Sequence, residues 1–96
     1  KALNDYQTTI DLNAKHYYAY YNAGNILGAL GKYQRAIDHF EICLRLEPDF
    51  AKGYNRIAQC LELKGDIELA KRNYERCLQI DPNFALAKEG LSRLGI

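Results

Sequence analysis

Lys52 and Arg56 stand four residues apart, a spacing that puts both cations on one face of a helix. Such a pair can hold an anionic group through charge-assisted hydrogen bonds, which are shorter and stronger than neutral ones. Asn22 and Asn25 upstream, with Asn55 and Gln59 beside the pair, add a row of primary amides. An amide offers both a donor and an acceptor, so such a row can hold the backbone of an extended peptide without reading its side chains. Tyr18 and Tyr21 add rigid amphipathic rings, which make good contact anchors. The chemistry these residues offer is recognition of an extended, partly anionic chain.

Nothing comparable points to catalysis. His16 and His39 are the only histidines, and they fall in different elements. His39 follows Asp38 directly, and neighbours in sequence do not face each other on a helix. No nucleophile elbow, phosphate-binding loop or His-Glu-x-x-His pattern occurs. The expectation is a chain that is not an enzyme and takes no cofactor and no metal. The three cysteines lack metal-ligand spacing, and Cys43 and Cys77 recur at one repeated position, as small buried side chains between helices would. That usage fits a reducing compartment, so a cytoplasmic location is expected.

The totals set further bounds. The chain is 48% hydrophobic and 26% charged, an ordinary soluble composition, and its net charge of +1 carries no nucleic-acid signature. No apolar run approaches the roughly 20 residues that span a bilayer, so no membrane insertion is expected. Glu62, Lys64, Glu68, Lys71, Arg72 and Glu75 alternate in sign as on a solvated helix face.

The elements that must position these residues are written twice. Residues 17–50 and 51–84 align without a gap at an offset of 34. Tyr20 falls on Tyr54, Leu27 on Leu61, Gly31 on Gly65, Ala36 on Ala70, Pro48 on Pro82 and Phe50 on Phe84. A fixed period of this size marks a solenoid, in which each unit buries its apolar face against its neighbours. Within each unit the apolar spacing predicts two helices. Gly31 and Gly65 break the first, as glycine does in the left-handed position after a helix. Pro48 and Pro82 stop the second, because the residue before proline avoids the α region. Gly24, Ala36, Ala58 and Ala70 let antiparallel helices approach closely, while Tyr20, Phe40, Tyr54 and Tyr74 fill the wider gaps.

Small residues, an aromatic, Leu, Gly, Ala and Pro at set places in 34 residues resemble the tetratricopeptide repeat (TPR). The resemblance covers residues 17–84. It implies an all-α fold, an antiparallel helix-pair solenoid wound as a right-handed superhelix. Residues 1–16, with Ala2, Tyr6, Thr9, Ile10 and Leu12, match the second helix of a preceding repeat. Residues 85–96 look like a capping helix or the start of another repeat. The first helix that should pair with residues 1–13 is absent, so the expectation is a fragment of a larger protein. The bare face at Ala2, Leu3, Tyr6 and Ile10 would then support self-association.

In arrays of this kind the first helix of each repeat lines a concave groove. The resemblance places Tyr18, Tyr21, Asn22 and Asn25, then Lys52, Asn55, Arg56, Gln59 and Glu62, on its open positions. Leu86, Glu89 and Arg93 extend it. Tyr18 and Tyr21 either face that groove or cover a preceding repeat. The implied function is a non-catalytic protein–protein interaction module that binds a peptide segment of a partner within a scaffold. A second implication is narrower. Asn22, Lys52 and Arg56 resemble three members of the two-carboxylate clamp in co-chaperone domains, which grip the acidic C-terminal tail of cytosolic heat-shock chaperones. The clamp's other lysine and asparagine belong on a helix this sequence lacks. A third reading is a regulatory or targeting arm of an enzyme encoded elsewhere in the parent chain.

Overall fold

The computed structural model describes residues 16–95. The expectations for residues 1–15, including the bare face and its self-association, lie outside the described residues. Five helices follow in order: α1 (Tyr17–Ala29), α2 (Tyr33–Leu46), α3 (Ala51–Lys64), α4 (Ile67–Ile80) and α5 (Ala85–Arg93). There is no strand among the described residues.

The turns inside each pair are identical in chemistry. After α1, Gly31 sits at φ 81°. Its N–H donates to the Gly28 carbonyl at 3.0 Å, and the Lys32 N–H donates to Leu27 at 2.9 Å. After α3, Gly65 at φ 96° and Asp66 make the same two bonds to Glu62 and Leu61. This paired closure satisfies helix-end carbonyls that would otherwise lack donors, and it needs a residue without a Cβ in the left-handed region. The second helix of each pair ends one residue before the X-Pro step. Glu47 and Asp81 are extended at φ −139° and −132°, which is what Pro48 and Pro82 demand of their predecessors.

Connections this short force neighbouring helices to run antiparallel. α1 packs along α2 and α3 along α4, while α2 leans on α3 and α4 on α5. α1 also touches α3, and α3 touches α5, so these three helices share one layer. The result is the all-α antiparallel helix-pair solenoid implied by the 34-residue period.

The core lies between the layers. Tyr20, Phe40 and Tyr74 are fully enclosed, with Ala36, Ala58 and Ala70 at the close approaches. Burying one such aromatic contributes about 2–3 kcal/mol. The small residues are obligatory in places. A methyl group at Gly24 would lie 2.6 Å from Phe40 Cε1, and one at Gly90 would collide with the ring of Tyr74. Both glycines exist to admit an aromatic from the packed helix.

Candidate functional site

A cleft of about 410 Å³ opens where α1, α2 and α3 meet. α1 contributes Gly24, Asn25 and Gly28, α2 contributes Tyr33 and Phe40, and α3 contributes Arg56, Gln59, Cys60 and Leu63. Arg56 is half-buried there. Its Nε donates to the Tyr21 hydroxyl at 3.3 Å and its Nη1 to Gln59 Oε1 at 3.1 Å. Both partners are neutral, and among the described residues Arg56 pairs with no carboxylate. Asn25 Oδ1 is buried and meets no donor among the described residues. A guanidinium with only neutral partners and a carbonyl oxygen without a donor give the cleft unused hydrogen-bonding capacity beside an apolar wall.

The structure places the candidate residues unevenly. Tyr18, Asn22 and Lys52 are exposed, and Asn25, Arg56 and Gln59 are half-buried at the cleft. Tyr21 and Asn55 differ from the expectation of open groove positions. They are only 6% and 2% exposed. Tyr21 packs its ring against Phe40 and Phe50, with centroids at 5.8 and 5.0 Å, so only its hydroxyl reaches Arg56. Asn55 occupies the same position one repeat later, and its Oδ1 has no partner among the described residues. Both side chains belong to the packed interior and not to an open groove. Phe50, which the sequence did not single out for the site, also meets Tyr17 at 5.2 Å and Tyr18 at 6.0 Å.

The remaining polar groups read as structural. His39 donates from Nδ1 to the Arg35 carbonyl at 2.9 Å and lies beside Tyr20. Cys43, Cys60 and Cys77 are buried free thiols. Burial pushes Cys43 up to about 12 and Cys77 up to about 11, with Glu47 and Asp81 adding to the respective shifts. Thiols held this firmly protonated are poor nucleophiles.

One cluster was missed. Glu62, read as both a solvated-face charge and a groove position, binds Arg93 through a fork: Arg93 Nε to Oε2 at 2.8 Å and Nη2 to Oε1 at 2.9 Å. The Tyr74 hydroxyl donates to the same Oε1 at 2.8 Å. This ties α5 to α3 and α4. The Arg93 hydrogen bonds hold the Glu62 carboxyl below its ordinary value, against the opposing effect of burial, with help from Tyr74 and from the Arg93 charge. Burial and then Glu62 push the Tyr74 phenol well above its usual range.

A depressed carboxyl has a definite sign. Its contribution to stability is complete above the ordinary value of 4.5 and is lost as pH falls through the lower folded value. The chain is therefore expected to melt higher than its Glu62→Gln variant at about pH 7, and the gap should close towards about pH 3. A gap that stays constant across that range would show that the carboxylate contributes nothing through its charge.

A family model for the tetratricopeptide repeat matches residues 17–50 and 51–84. The chain belongs to the tetratricopeptide-repeat family. Its α1–α2 and α3–α4 pairs are two such repeats, members of a family of protein–protein interaction modules. Tetratricopeptide repeat protein 6 of Homo sapiens is 42% identical over 48 residues, which is 50% of this chain and 9% of that protein. The chain thus spans about a tenth of that curated relative. Among solved structures, MamA superposes with a TM-score of 0.83 at 22% identity, over 97% of this chain and 54% of that one. The first TPR domain of Spaghetti (RPAP3), solved with the HSP90 peptide SRMEEVD, superposes with a TM-score of 0.82 at 24% identity, over 97% and 74%. At these identities the likeness is one of fold. No helix among the described residues is long and apolar enough to cross a membrane.

Proposed function

We propose that this TPR segment binds an extended segment of a protein partner, without catalysis, in the groove along α1, α3 and α5. In this reading α5 serves as the capping helix and the setting is cytoplasmic. The observation that carries it is Arg56: a half-buried guanidinium at the edge of a cleft, held among the described residues by neutral oxygens. A rigid helix pair presents that cation without reorganisation, so the ordering cost falls mainly on the peptide.

A second reading, the carboxylate clamp, is favoured by three placements. Asn22 and Lys52 are exposed on α1 and α3, and Arg56 stands one turn after Lys52. The RPAP3 domain of the same fold was solved with a peptide ending in an acidic residue.

The test is a calorimetric titration of this chain with SRMEEVD and with its C-terminally amidated twin, at low and physiological salt. Binding that weakens about tenfold or more on amidation is expected if the clamp operates. Equal binding of the two peptides would remove the clamp and leave the general groove. Failure of both, together with failure of a peptide library to find any groove ligand, would overturn the peptide-binding reading.

A further inference from the structure

The two partners of Arg56 among the described residues hold it in different ways. Gln59 lies three residues further along the same helix, so its bond to Nη1 moves with α3 and fixes nothing relative to the rest of the fold. Tyr21 lies on α1, one repeat earlier, and its hydroxyl accepts from Nε at 3.3 Å. Among the described residues it is the one hydrogen-bond partner that ties this guanidinium to another helix.

The Tyr21 oxygen is itself fixed in place. Its ring is nearly enclosed, meets Phe50 edge-on at an interplanar angle of 82°, and lies tilted against Phe40. A tyrosine has only two side-chain torsions, so packing the ring also sets the place of the hydroxyl. The repeat supplies an internal comparison. An offset of 34 puts Asn55 where Tyr21 stands and Gly90 where Arg56 stands. At that second junction the guanidinium is gone, and the phenol is replaced by a shorter side chain whose Oδ1 has no partner among the described residues. The reaching hydroxyl therefore occurs at the junction that has a cation to hold.

A guanidinium carries five N–H donors in one plane and grips a carboxylate through two of them in parallel. The grip is either side-on, through Nε and one Nη, or end-on, through both Nη nitrogens. Tyr21 already occupies Nε, while Nη2 has no partner among the described residues. We propose that Tyr21 is a positioning residue of the groove: its hydroxyl withholds Nε, so that Arg56 meets a ligand carboxylate end-on through its Nη nitrogens. Tyr21 acts through Arg56 and does not touch the ligand. The proposal deepens the peptide-binding reading and rests on it for the ligand. The bond is at the long end for N–H···O, so its loss should cost affinity only modestly.

The full 96-residue chain, Tyr21→Phe, Arg56→Ala and the double variant are titrated with SRMEEVD by calorimetry. The Arg56 Nε–Hε signal, assigned by its loss in Arg56→Ala, is followed in parallel by nitrogen-15 NMR. Tyr21→Phe keeps the packed ring and should weaken binding by about threefold, within the worth of one neutral hydrogen bond. In the Arg56→Ala background the same change should cost nothing further, since a residue that acts only through another shows complete coupling to it. Without ligand, Hε should exchange with water faster in Tyr21→Phe than in the unaltered chain. On peptide binding, the Nε–Hε signal of the unaltered chain should stay in place while backbone amides around residue 56 shift.

An equal loss from Tyr21→Phe with and without Arg56 would overturn the proposal, because the hydroxyl would then act on the ligand or the fold directly. A large ligand-induced shift of Nε–Hε in the unaltered chain would also overturn it, by showing that Nε meets the carboxylate. Acetate serves as a second probe of the cation. If no peptide binds but acetate reproduces the Nε–Hε pattern, the positioning role stands and the peptide-binding reading falls. If peptides bind while Tyr21→Phe changes neither affinity nor Hε exchange, the role falls and the reading stands. If neither probe disturbs Arg56, the proposal falls.

Discussion

Replacing Tyr74 by alanine is expected to destabilise the chain by about 3–5 kcal/mol, the range seen when a large buried aromatic is cut to a methyl group. Three losses combine. The ring is fully enclosed and fills the space that Gly90 leaves open, so its removal creates a cavity. The hydroxyl that donates to Glu62 disappears. α5 then relies on its Glu62–Arg93 fork and on the burial of Ala87 and Leu91. For a domain of this size such a loss lowers Tm by at least about 12 °C, at the usual 4–8 °C per kcal/mol. In a solenoid each unit leans on its neighbour, so the effect should begin at the end: hydrogen exchange in α5 should speed up before that in α3. Tyr74→Phe separates the terms, because it keeps the ring and loses only the hydroxyl, and should cost about 0.5–1.5 kcal/mol. A Tyr74→Ala chain that melts within a few degrees of the original would mean that the ring does not support the α4–α5 contact.

The fold was legible because its determinants are local and repeated. Gly31 and Gly65, Pro48 and Pro82, and the alanines at 36, 58 and 70 each dictate a backbone event or a close approach that no distant residue can override. The 34-residue offset then supplies the tertiary arrangement, since stacking copies of one unit leaves little freedom in how they meet.

The site was only partly legible, and the failures share a cause. Tyr21 and Asn55 lie at one repeat position that helical periodicity within a single unit leaves outside the packing stripe. Tyr21 is buried by rings from outside its own helix, Phe40 on α2 and Phe50 in the connection between α2 and α3. A one-helix pattern cannot see a surface formed by other elements. Glu62 and Arg93 were each visible as charges, but their pairing depends on Tyr74 reaching through a gap that exists only because residue 90 is glycine. The signal was present in the comparison of repeats: where the first unit has Gly28, Phe40 and Gln59, the second has three groups able to bond to one another. Departures from the repeat, more than the repeat itself, mark where function and closure differ.

Arg56→Ala is expected to weaken an acidic peptide by about 1.5–3 kcal/mol, the worth of a hydrogen bond to a charged group when it is lost from one side. The geometry sets that expectation. Arg56 is held in place by the Tyr21 hydroxyl and Gln59, so little side-chain freedom is lost when an anion arrives. Neither partner neutralises it, so the ligand displaces no internal carboxylate. Arg93 makes the contrast: its guanidinium is already forked by Glu62, and Arg93→Ala should change peptide affinity far less while loosening α5. Arg56→Lys keeps the charge but loses the planar fork, so its affinity should fall between the other two. Tyr21→Phe removes one holding oxygen and tests whether orientation matters as well as charge; a modest loss is expected. The affinity of the unaltered chain should also fall with added salt, on the scale of a Debye length near 10 Å at 0.1 M, and the Arg56→Ala variant should show a shallower dependence. If Arg56→Ala binds the acidic peptide as well as the unaltered chain does, with the same salt dependence, then the anion is held elsewhere. Lys52, exposed one turn earlier on the same helix, would be the next cation to remove.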